Sequence, residues 1–461
     1  MKTKVWMTIL LCAAACLTCW TATAEEAAKA AAAAETAGGP KTVLSQMDLS
    51  DGDAVVFLGD SITHQCLYTQ YVENFYYTRF PSLHLHFHNA GVGGDRAADA
   101  LARFDDDVAA FKPRYVTLLL GMNDGGYRDF DKATFDTYQK DMSALLDRIA
   151  EIGAVAIPMT PTMHDSRAAR LRNKGAEPRD TYYNGVLALY GAWLREVAQV
   201  RGLGFVDMYS PLNQLTFAQR KTDPAFTLIQ DAVHPDAPGQ VVMAAALVGD
   251  ICPRGVVSSI TIQEKAGKLG AVAANAKIAD FQADGDGVCF TCTANALPWV
   301  VSANAQPGCK LVSLGHRYSM EAFTARNLKP GKYELKIDGQ SVGTWTEAQL
   351  AFRLELEGND KTPQYQQAMQ VALLNQERNE KAVHPLRDLW LQLKVRRRQM
   401  AQQDPNDASQ SAARKEQFEK WFADEFQPGV AKLQALAKDY ETRIYQLNQP
   451  VARKYELLPV K

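Results

Sequence analysis

The sequence lacks a surplus of charge of either sign. Its 461 residues include 50 lysines and arginines and 52 aspartates and glutamates, which give a formal net charge of -2. A chain with so little net charge has no overall attraction for a polyanion, so nucleic acid and anionic membrane surfaces are not expected as partners. The basic run Lys394–Arg398 lies in a predicted helix without neighbouring aromatics, a pattern typical of a solvated helix face.

The apolar run at the N-terminus is too short to span a membrane. It extends from Val5 to about Trp20, whereas a span requires roughly 20 apolar residues. Two lysines precede it and the small-x-small site Ala22-Thr23-Ala24 follows, so residues 1–24 are predicted to be a secretory signal peptide cleaved after Ala24. The mature protein is expected to be secreted or periplasmic, without a stable membrane span. A retained anchor and a lipoprotein at Cys16 are the alternatives.

Cysteines are few, and they do not complete a metal site. Loss of the signal peptide would leave five of the eight cysteines: Cys66, Cys252, Cys289, Cys292 and Cys309. Because five is odd, at least one thiol should stay free or pair between chains. Cys289 and Cys292 have the spacing of a metal or redox pair, but no second pair and no nearby histidine accompany them. The alternating pattern around them predicts a strand.

Pattern and composition divide the rest of the chain into four parts. We predict an Ala-rich linker at 25–42, an α/β domain at 43–253, a β-rich module at 254–346 and a helical region at 347–461. The β-rich module shows short strand-like pieces, among them Val257–Ile262, Gly287–Cys292 and Trp299–Ser302. We favour a structural cap for this module over a carbohydrate-facing accessory.

The α/β domain alternates short apolar runs with longer helical segments. The strand-like runs are Ala54–Leu58, Leu83–His88, Tyr115–Leu120, Ala154–Met159 and Gly204–Met208. Crossovers of this length indicate βαβ units, and the five runs predict a five-stranded parallel sheet in a flavodoxin-like three-layer α/β/α sandwich. A ligand should bind beyond the carboxyl ends of these strands.

Polar and glycine-rich segments follow the predicted strands. Gly59-Asp60-Ser61 follows the first, a glycine-dense turn at 89–95 follows the second, and Gly121-Met122-Asn123-Asp124 follows the third; Asp231-x-x-His234 comes late in the domain. Each segment alone also fits a structural role, such as a turn or a helix cap. Together, a serine, a histidine with a nearby carboxylate, and backbone and amide donors are the parts of acyl-transfer hydrolysis.

In order and approximate spacing, these four segments resemble the sequence blocks of the SGNH (GDSL-like) hydrolases, over roughly 200 of the 461 residues. The resemblance implies that Ser61 is the nucleophile, that His234 is the general base and that Asp231 orients the imidazole. It implies neither a metal nor an organic cofactor.

The resemblance also implies an oxyanion hole. Its donors would be the N–H groups of Ser61 and Gly94 and the side-chain amide of Asn123, with Gly93 a near alternative to Gly94. Asp60 and Asp124 are expected to brace turns, and His64 to face away from the site or to line the cleft.

These features predict an exported serine esterase that hydrolyses O-acyl esters, most plausibly O-acetyl groups, on a small-molecule or polysaccharide substrate. The layout of hydrolase, β-rich module and helical region is similar to that of longer exported SGNH proteins of polysaccharide-degrading bacteria. A lipolytic or thioesterase-like hydrolase is the alternative, disfavoured by the lack of a long hydrophobic lid. From another class, the chain could be a catalytically silent glycan-binding or envelope protein, which the complete set of four segments disfavours. The sequence does not indicate an oligomeric state.

Overall fold

The computed structural model describes residues 43–172, 182–253, 255–265, 267–285, 287–402 and 408–460. The predicted signal peptide and the predicted linker lie outside these residues. Within the described part of the chain, no helix is both long and apolar enough to cross a bilayer.

The first half of the chain forms a parallel sheet. Its strands are β1 Ala54–Gly59, β2 His86–Gly91, β3 Tyr115–Leu119 and β4 Val155–Pro158. They lie in the order β2-β1-β3-β4, and Val56 of β1 pairs with His88 on one side and Val116 on the other. Strand β3 is buried along its whole length, because helices cover both faces of a parallel sheet.

Helices connect and cover these strands. They are α1 Ser61–His64, α2 Leu67–Arg79, α3 Ala97–Leu101, α4 Phe104–Asp107, α5 Lys132–Glu151, α6 Ser166–Arg172, α7 Tyr183–Arg201, α8 Tyr209–Gln219 and α9 Ala237–Ile251, with a 3-10 turn at Ala109–Phe111. The predicted α/β class and parallel sheet are confirmed.

Helix α5 shows how the sequence specifies such a helix. Asp131 caps its N-terminus by accepting a hydrogen bond from the Thr134 N–H at 2.8 Å. Tyr138, Met142 and Leu145 recur every three or four residues and are all buried, so one apolar stripe faces the sheet.

The prediction of a fifth parallel strand at Gly204–Met208 is wrong. Only Val206 pairs there, through an isolated parallel bridge to Met159. The Asp207 carboxylate accepts the Ser210 N–H at 2.9 Å, and helix α8 begins directly afterwards. The apolar pattern therefore marked a buried position, and the extended segment ends after one pair because helix α8 begins at Tyr209, with Asp207 accepting an N–H of its first turn.

Strand β2 lies three residues later than predicted, at His86–Gly91 in place of Leu83–His88. Asn89 consequently belongs to the strand and not to the turn after it. Its side chain is buried, donating to Thr63 O at 2.7 Å and accepting the Gly91 N–H at 2.9 Å. A polar residue is stable in this strand because it ties β2 to helix α1.

The β-rich part forms two further sheets. Their strands are β5 Ser258–Lys265, β6 Lys268–Ala274, β7 Ala276–Asp284, β8 Gly287–Ala294, β9 Glu321–Ala325, β10 Lys332–Ile337, β11 Gln340–Thr346, β12 Leu354–Glu355 and β13 Arg453–Pro459. One sheet has the order β12-β9-β5-β6 and the other β11-β10-β13-β8-β7. Stacked rings of Phe290, Tyr455 and Phe323 lie in their shared core.

The chain therefore returns from its helical region to complete the β-rich part, because β13 lies between β10 and β8. The predicted boundaries at 254 and 347 remain predictions. Cys289 and Cys292 both lie in strand β8, as their pattern indicated. All five cysteines of the described residues are free thiols.

The predicted strand at Trp299–Ser302 is wrong. The segment is irregular and buried, and it packs against the α/β domain instead of pairing. The Trp299 indole N–H donates to Tyr71 O at 2.9 Å, and its backbone N–H donates to Ser319 Oγ at 2.6 Å. A large apolar side chain here extends the hydrolase core, which alternation alone could not distinguish from a strand.

Helices make up most of the rest of the chain. They are the short α10 Gln306–Val312, α11 Leu314–Tyr318 and α12 Glu347–Ala351, and the longer α13 Pro363–Arg378, α14 His384–Ala401, α15 Ala408–Trp421 and α16 Gln427–Leu447. A 3-10 turn lies at Ala303–Ala305, and π turns at Asn379–Val383 and Phe422–Phe426 join α13 to α14 and α15 to α16.

Buried ion pairs join helix α14 to the α/β domain. Arg387 is fully buried and donates to both carboxylate oxygens of Asp107, at 2.7 and 3.0 Å. Arg103 donates to the same carboxylate at 2.5 Å, and His88 Nε2 lies 3.0 Å from it. Burial by itself raises the pKa of Asp107, but Arg387, His88 and Arg103 outweigh it and hold that pKa well below its usual range. The carboxylate stays charged, and three side chains depend on it.

Replacing Arg387 with methionine should destabilise the protein by about 3 kcal/mol, because it removes the bidentate partner of a buried carboxylate. Urea unfolding followed by circular dichroism measures the change. Arg443→Ala is the control, since Arg443 is half exposed and lies 3.9 Å from Asp439; its effect should stay below about 0.5 kcal/mol. Equal unfolding midpoints for the two variants would show that the buried pair contributes nothing.

Candidate active site

Ser61 is the first residue of helix α1, directly after strand β1. The strand ends and this helix approach so closely that a Cβ built on Gly91 would lie 2.3 Å from His64 N, which is why glycine is needed there. Asp60 caps the helix by accepting the Ile62 N–H at 2.9 Å. As the first helical residue, Ser61 has a backbone N–H that no intrahelical hydrogen bond uses.

His234 lies between Ser61 and Asp231. Its Nε2 is 2.8 Å from Ser61 Oγ, and its Nδ1 is 2.6 Å from Asp231 Oδ2. The carboxylate therefore fixes the ring with its proton on Nδ1, which leaves Nε2 free to accept the serine proton.

The loop around Asp231 holds its carboxylate in place. Asp231 Oδ1 accepts the backbone N–H groups of Val233 at 2.9 Å and His234 at 2.7 Å. Ala232 has a positive φ of 78°, and its carbonyl accepts the Asp165 N–H at 2.9 Å. Burial acts to raise the pKa of Asp231, but the hydrogen bonds from His234 and Val233 outweigh it, so the pKa lies below its ordinary value. The group stays ionised beside the imidazole.

Asn123 joins the turn after β2 to the turn that presents Ser61. Its Nδ2 donates to Asp95 O at 3.0 Å and lies 3.3 Å from Asp60 Oδ2. Asp95 is next to Gly94, and Asp60 is next to Ser61. These two contacts place the Asn123 amide between the turn that carries Ser61 and the turn that carries Gly94.

Gly94 is better placed as a donor than Gly93. The Gly93 N–H donates to His64 Nδ1 at 3.3 Å, whereas the Gly94 N–H has no acceptor among the described residues. Gly94 is exposed, and its φ of 68° lies in the left-handed region that favours glycine. The geometry therefore favours Gly94 over Gly93 as the backbone donor in this turn.

Tyr127 is a site residue that sequence analysis missed. Its hydroxyl donates to Asn123 Oδ1 at 3.1 Å, and this contact decides which way the side-chain amide points. Tyr127 also has a positive φ of 54°, a strained conformation for a tyrosine. Its place four residues after Asn123 was visible in the sequence, but nothing in the spacing identified a contact.

Asp60 and Asp124 brace turns, as expected. Asp124 accepts the Ala97 N–H at 2.9 Å, which ties the turn after β3 to the start of helix α3. Burial raises the pKa of Asp60 to about 7 and that of Asp124 to about 6. Neither carboxyl contacts His234, so their place in the site is structural.

His64 lines the side of the site that faces helix α14. Its Nε2 lies 3.2 Å from Asp388 Oδ1, and His384 Nδ1 lies 3.4 Å from Asp388 Oδ2. Among the described residues these three side chains form a group whose ligand atoms, within 4.8 Å of one another, could share a metal ion. Because the Gly93 N–H donates to Nδ1, the His64 proton lies on Nε2 and is donated to Asp388, so hydrogen bonding accounts for the arrangement. Burial, with His384 nearby, lowers the pKa of His64 to about 4.

Comparison with known proteins identifies the domain that carries this site. The model of the GDSL-like lipase/acylhydrolase family matches residues 57–242, a span that includes Ser61, Asn123 and His234. This domain belongs to the GDSL-like lipase/acylhydrolase, or SGNH, family. The predicted enzyme class, a carboxylic ester hydrolase, is confirmed with it.

Two relatives of the GDSL-like domain differ in how much of the chain they share. The solved structure of a gut microbial diltiazem-metabolizing enzyme is 25% identical, with a TM-score of 0.77, and the match covers 90% of this chain and 99% of that one. An acetylxylan esterase from Geobacillus stearothermophilus is 26% identical over 228 residues, which are 44% of this chain and 96% of that one. The first similarity therefore includes the β-rich and helical parts, and the second covers less than half of the chain.

Loss of the nucleophile or base should nearly abolish ester hydrolysis. Ser61→Ala or His234→Ala should lower turnover by a factor on the order of 10⁴, and Asp231→Asn by somewhat less, because the ring can still be held by neighbouring groups. Hydrolysis of 4-nitrophenyl acetate by folded, purified variants measures this. A Ser61→Ala protein that kept more than a tenth of the activity would exclude the assignment.

Loss of the Asn123 amide should affect the transition state more than substrate binding. Asn123→Ala should lower kcat by about 10² to 10³ with little change in KM. Tyr127→Phe, which removes only the hydroxyl that orients the amide, should lower kcat by about tenfold. If either substitution changed KM alone, Asn123 would be a substrate-binding residue instead.

Proposed function

We propose that this protein is an exported serine esterase that removes O-acyl groups, with O-acetyl groups preferred, from a glycan or a related extracellular substrate. The observation that carries the proposal is the hydrogen-bonded series Asp231, His234 and Ser61 beside the exposed Gly94 N–H. It joins a nucleophile, its base and a donor for developing negative charge.

The reaction follows from this geometry. Ser61 Oγ attacks the ester carbonyl while His234 Nε2 takes its proton, and the carbonyl oxygen becomes negatively charged. The N–H groups of Ser61 and Gly94 and the Asn123 amide stabilise that charge, and each donor of this kind contributes about 3 to 4 kcal/mol. The Asn123 amide does so by exchanging its long 3.3 Å contact with Asp60 Oδ2 for the carbonyl oxygen, while it keeps its hydrogen bond to Asp95 O. His234 then protonates the departing alcohol, and a water molecule activated by the same imidazole hydrolyses the acyl-enzyme.

The surroundings of Ser61 support a small acyl group on a large substrate. The side chains of His234 and Asp231 are 31% and 43% exposed, so the site is open enough to admit an ester on a bulky chain. Glycine, asparagine and aspartate around Ser61 supply little apolar surface for a long acyl chain. These features favour acetyl esters over lipids.

The relatives support two substrate classes. The name acetylxylan esterase supports an acetylated glycan. The diltiazem-metabolizing relative, similar over nearly the whole length, supports a small molecule as the second candidate substrate. Export, inferred from the N-terminal 24 residues, favours the glycan, because the enzyme would meet polymers outside the cell. No organic cofactor is part of the proposal.

The proposal predicts a falling preference with acyl length. Across 4-nitrophenyl esters from acetyl to octanoyl, kcat/KM should decrease, and acetylated xylan should release acetate. The reverse order would favour the lipolytic alternative. A serine-directed fluorophosphonate should label the wild-type protein and not Ser61→Ala; absence of both labelling and turnover would favour the silent glycan-binding alternative.

A further inference from the structure

Lys394 of helix α14 contacts the turn that carries Gly94. Its Nζ lies 3.0 Å from Gly93 O, 301 residues earlier in the chain, and 2.6 Å from Asp95 Oδ1. The Lys394 side chain is only 11% exposed and that of Asp95 is fully buried. The two contacts therefore enclose Gly94 from both sides, through the residue before it and the residue after it.

Asp95 links this lysine to the second predicted oxyanion donor. Its Oδ2 accepts Arg103 Nε at 2.8 Å, and its backbone carbonyl accepts the Asn123 amide at 3.0 Å. Arg103 in turn donates to Ala90 O at 2.7 Å, at the end of strand β2. One buried aspartate thus joins the turn of Gly94 to Asn123 and to the sheet.

Within the turn itself, one backbone hydrogen bond joins the Asp95 N–H to Val92 O at 3.1 Å. The turn contains two adjacent glycines, which restrict the backbone less than any other residue. Gly93 has two further contacts in addition to that of its carbonyl with Lys394. Its N–H donates to His64 Nδ1, and a Cβ built on it would lie 3.6 Å from Leu391 Cδ1 on helix α14. Helix α14 therefore covers the turn with both a charged and an apolar side chain.

The loss of Lys394 would change the electrostatics of the turn. Burial raises the pKa of Asp95, and Arg103 and Lys394 oppose that rise. Without Lys394, Asp95 Oδ1 would lose a buried charged partner and Gly93 O would lose its donor, and such losses favour rearrangement of the backbone.

We propose that Lys394 is a positioning residue of the oxyanion hole: it holds Gly93 O and Asp95 so that the Gly94 N–H and the Asn123 amide face the reacting carbonyl. The inference rests on the proposed esterase function. It gives helix α14 a part in catalysis. The interpretation of the run Lys394–Arg398 as a solvated face is wrong for Lys394, although Arg397 and Arg398 are exposed.

Lys394→Met should lower kcat for 4-nitrophenyl acetate by about tenfold to a hundredfold and change KM by less than about twofold. A displaced N–H donor weakens stabilisation of the charged transition state more than it weakens binding of the neutral substrate. Arg397→Ala is the matched control: Arg397 lies three residues further along the same helix and is exposed. Its kcat should stay within about twofold of wild type. Full kcat in folded Lys394→Met, or a loss confined to KM, overturns the inference.

A double variant tests whether Lys394 acts on catalysis through the turn of Gly94 or only stabilises the fold. Gly94→Ala places a side chain at a φ of 68° and disturbs the same turn. If Lys394 acts through that turn, the loss in the double variant should be clearly smaller than the product of the two single losses. Independent, multiplicative losses overturn the inference. Should Lys394→Met not fold, Lys394→Gln, which keeps an N–H donor group but loses the positive charge, takes its place with the same expected separation of kcat from KM.

The failure of the inference is distinguishable from the failure of the proposed function. If wild-type protein neither hydrolyses esters nor reacts with the fluorophosphonate at Ser61, the proposed function is overturned and the inference with it. If wild-type activity depends on Ser61 and the Lys394 variants keep full kcat, only the inference is overturned.

Discussion

Two buried carboxylates, Asp95 and Asp107, hold distant parts of this chain together. Arg103 donates to both, and helix α14 supplies one further cation to each, Lys394 and Arg387. Charges removed from water are stable only while they are paired, so none of these five side chains can be lost without leaving another uncompensated. The relation between the α/β domain and the helical region is therefore fixed by charge as well as by apolar contact.

The sequence predicted the parts of the site that lie within short segments. Ser61 follows an apolar strand, and Asp231 stands three residues before His234, so residue type and spacing were informative. Contacts made by the fold were not predictable in this way. Lys394 lies 301 residues from the carbonyl it contacts, and a charged residue in a helix has no local feature that shows whether it is solvated or buried. Tyr127 was missed although it lies only four residues after Asn123, because the spacing does not show how the loop directs its hydroxyl toward the amide.

The errors in the predicted fold have a related cause. Apolar patterns indicate burial. Val206 is buried with only a single isolated bridge to Met159, and Trp299 is buried without strand pairing. Alternation and composition also describe neighbours along the chain only. They separated the β-rich part from the helical part, yet the strand Arg453–Pro459 returns to the middle of a sheet whose other strands precede residue 347. The order of the strands in this sheet therefore differs from their order in the sequence, and no local sequence pattern predicts that difference.

The central position of that strand has a consequence for biogenesis. Strands β8 and β10 are both neighbours of β13, and each keeps an unpaired edge until residues 453–459 have been synthesised. Unpaired edges are sites of aggregation in incomplete chains. A ribosome-bound or prematurely terminated chain thus exposes two unpaired strand edges that can pair with other chains. Protection of these edges is needed until strand β13 has been translated.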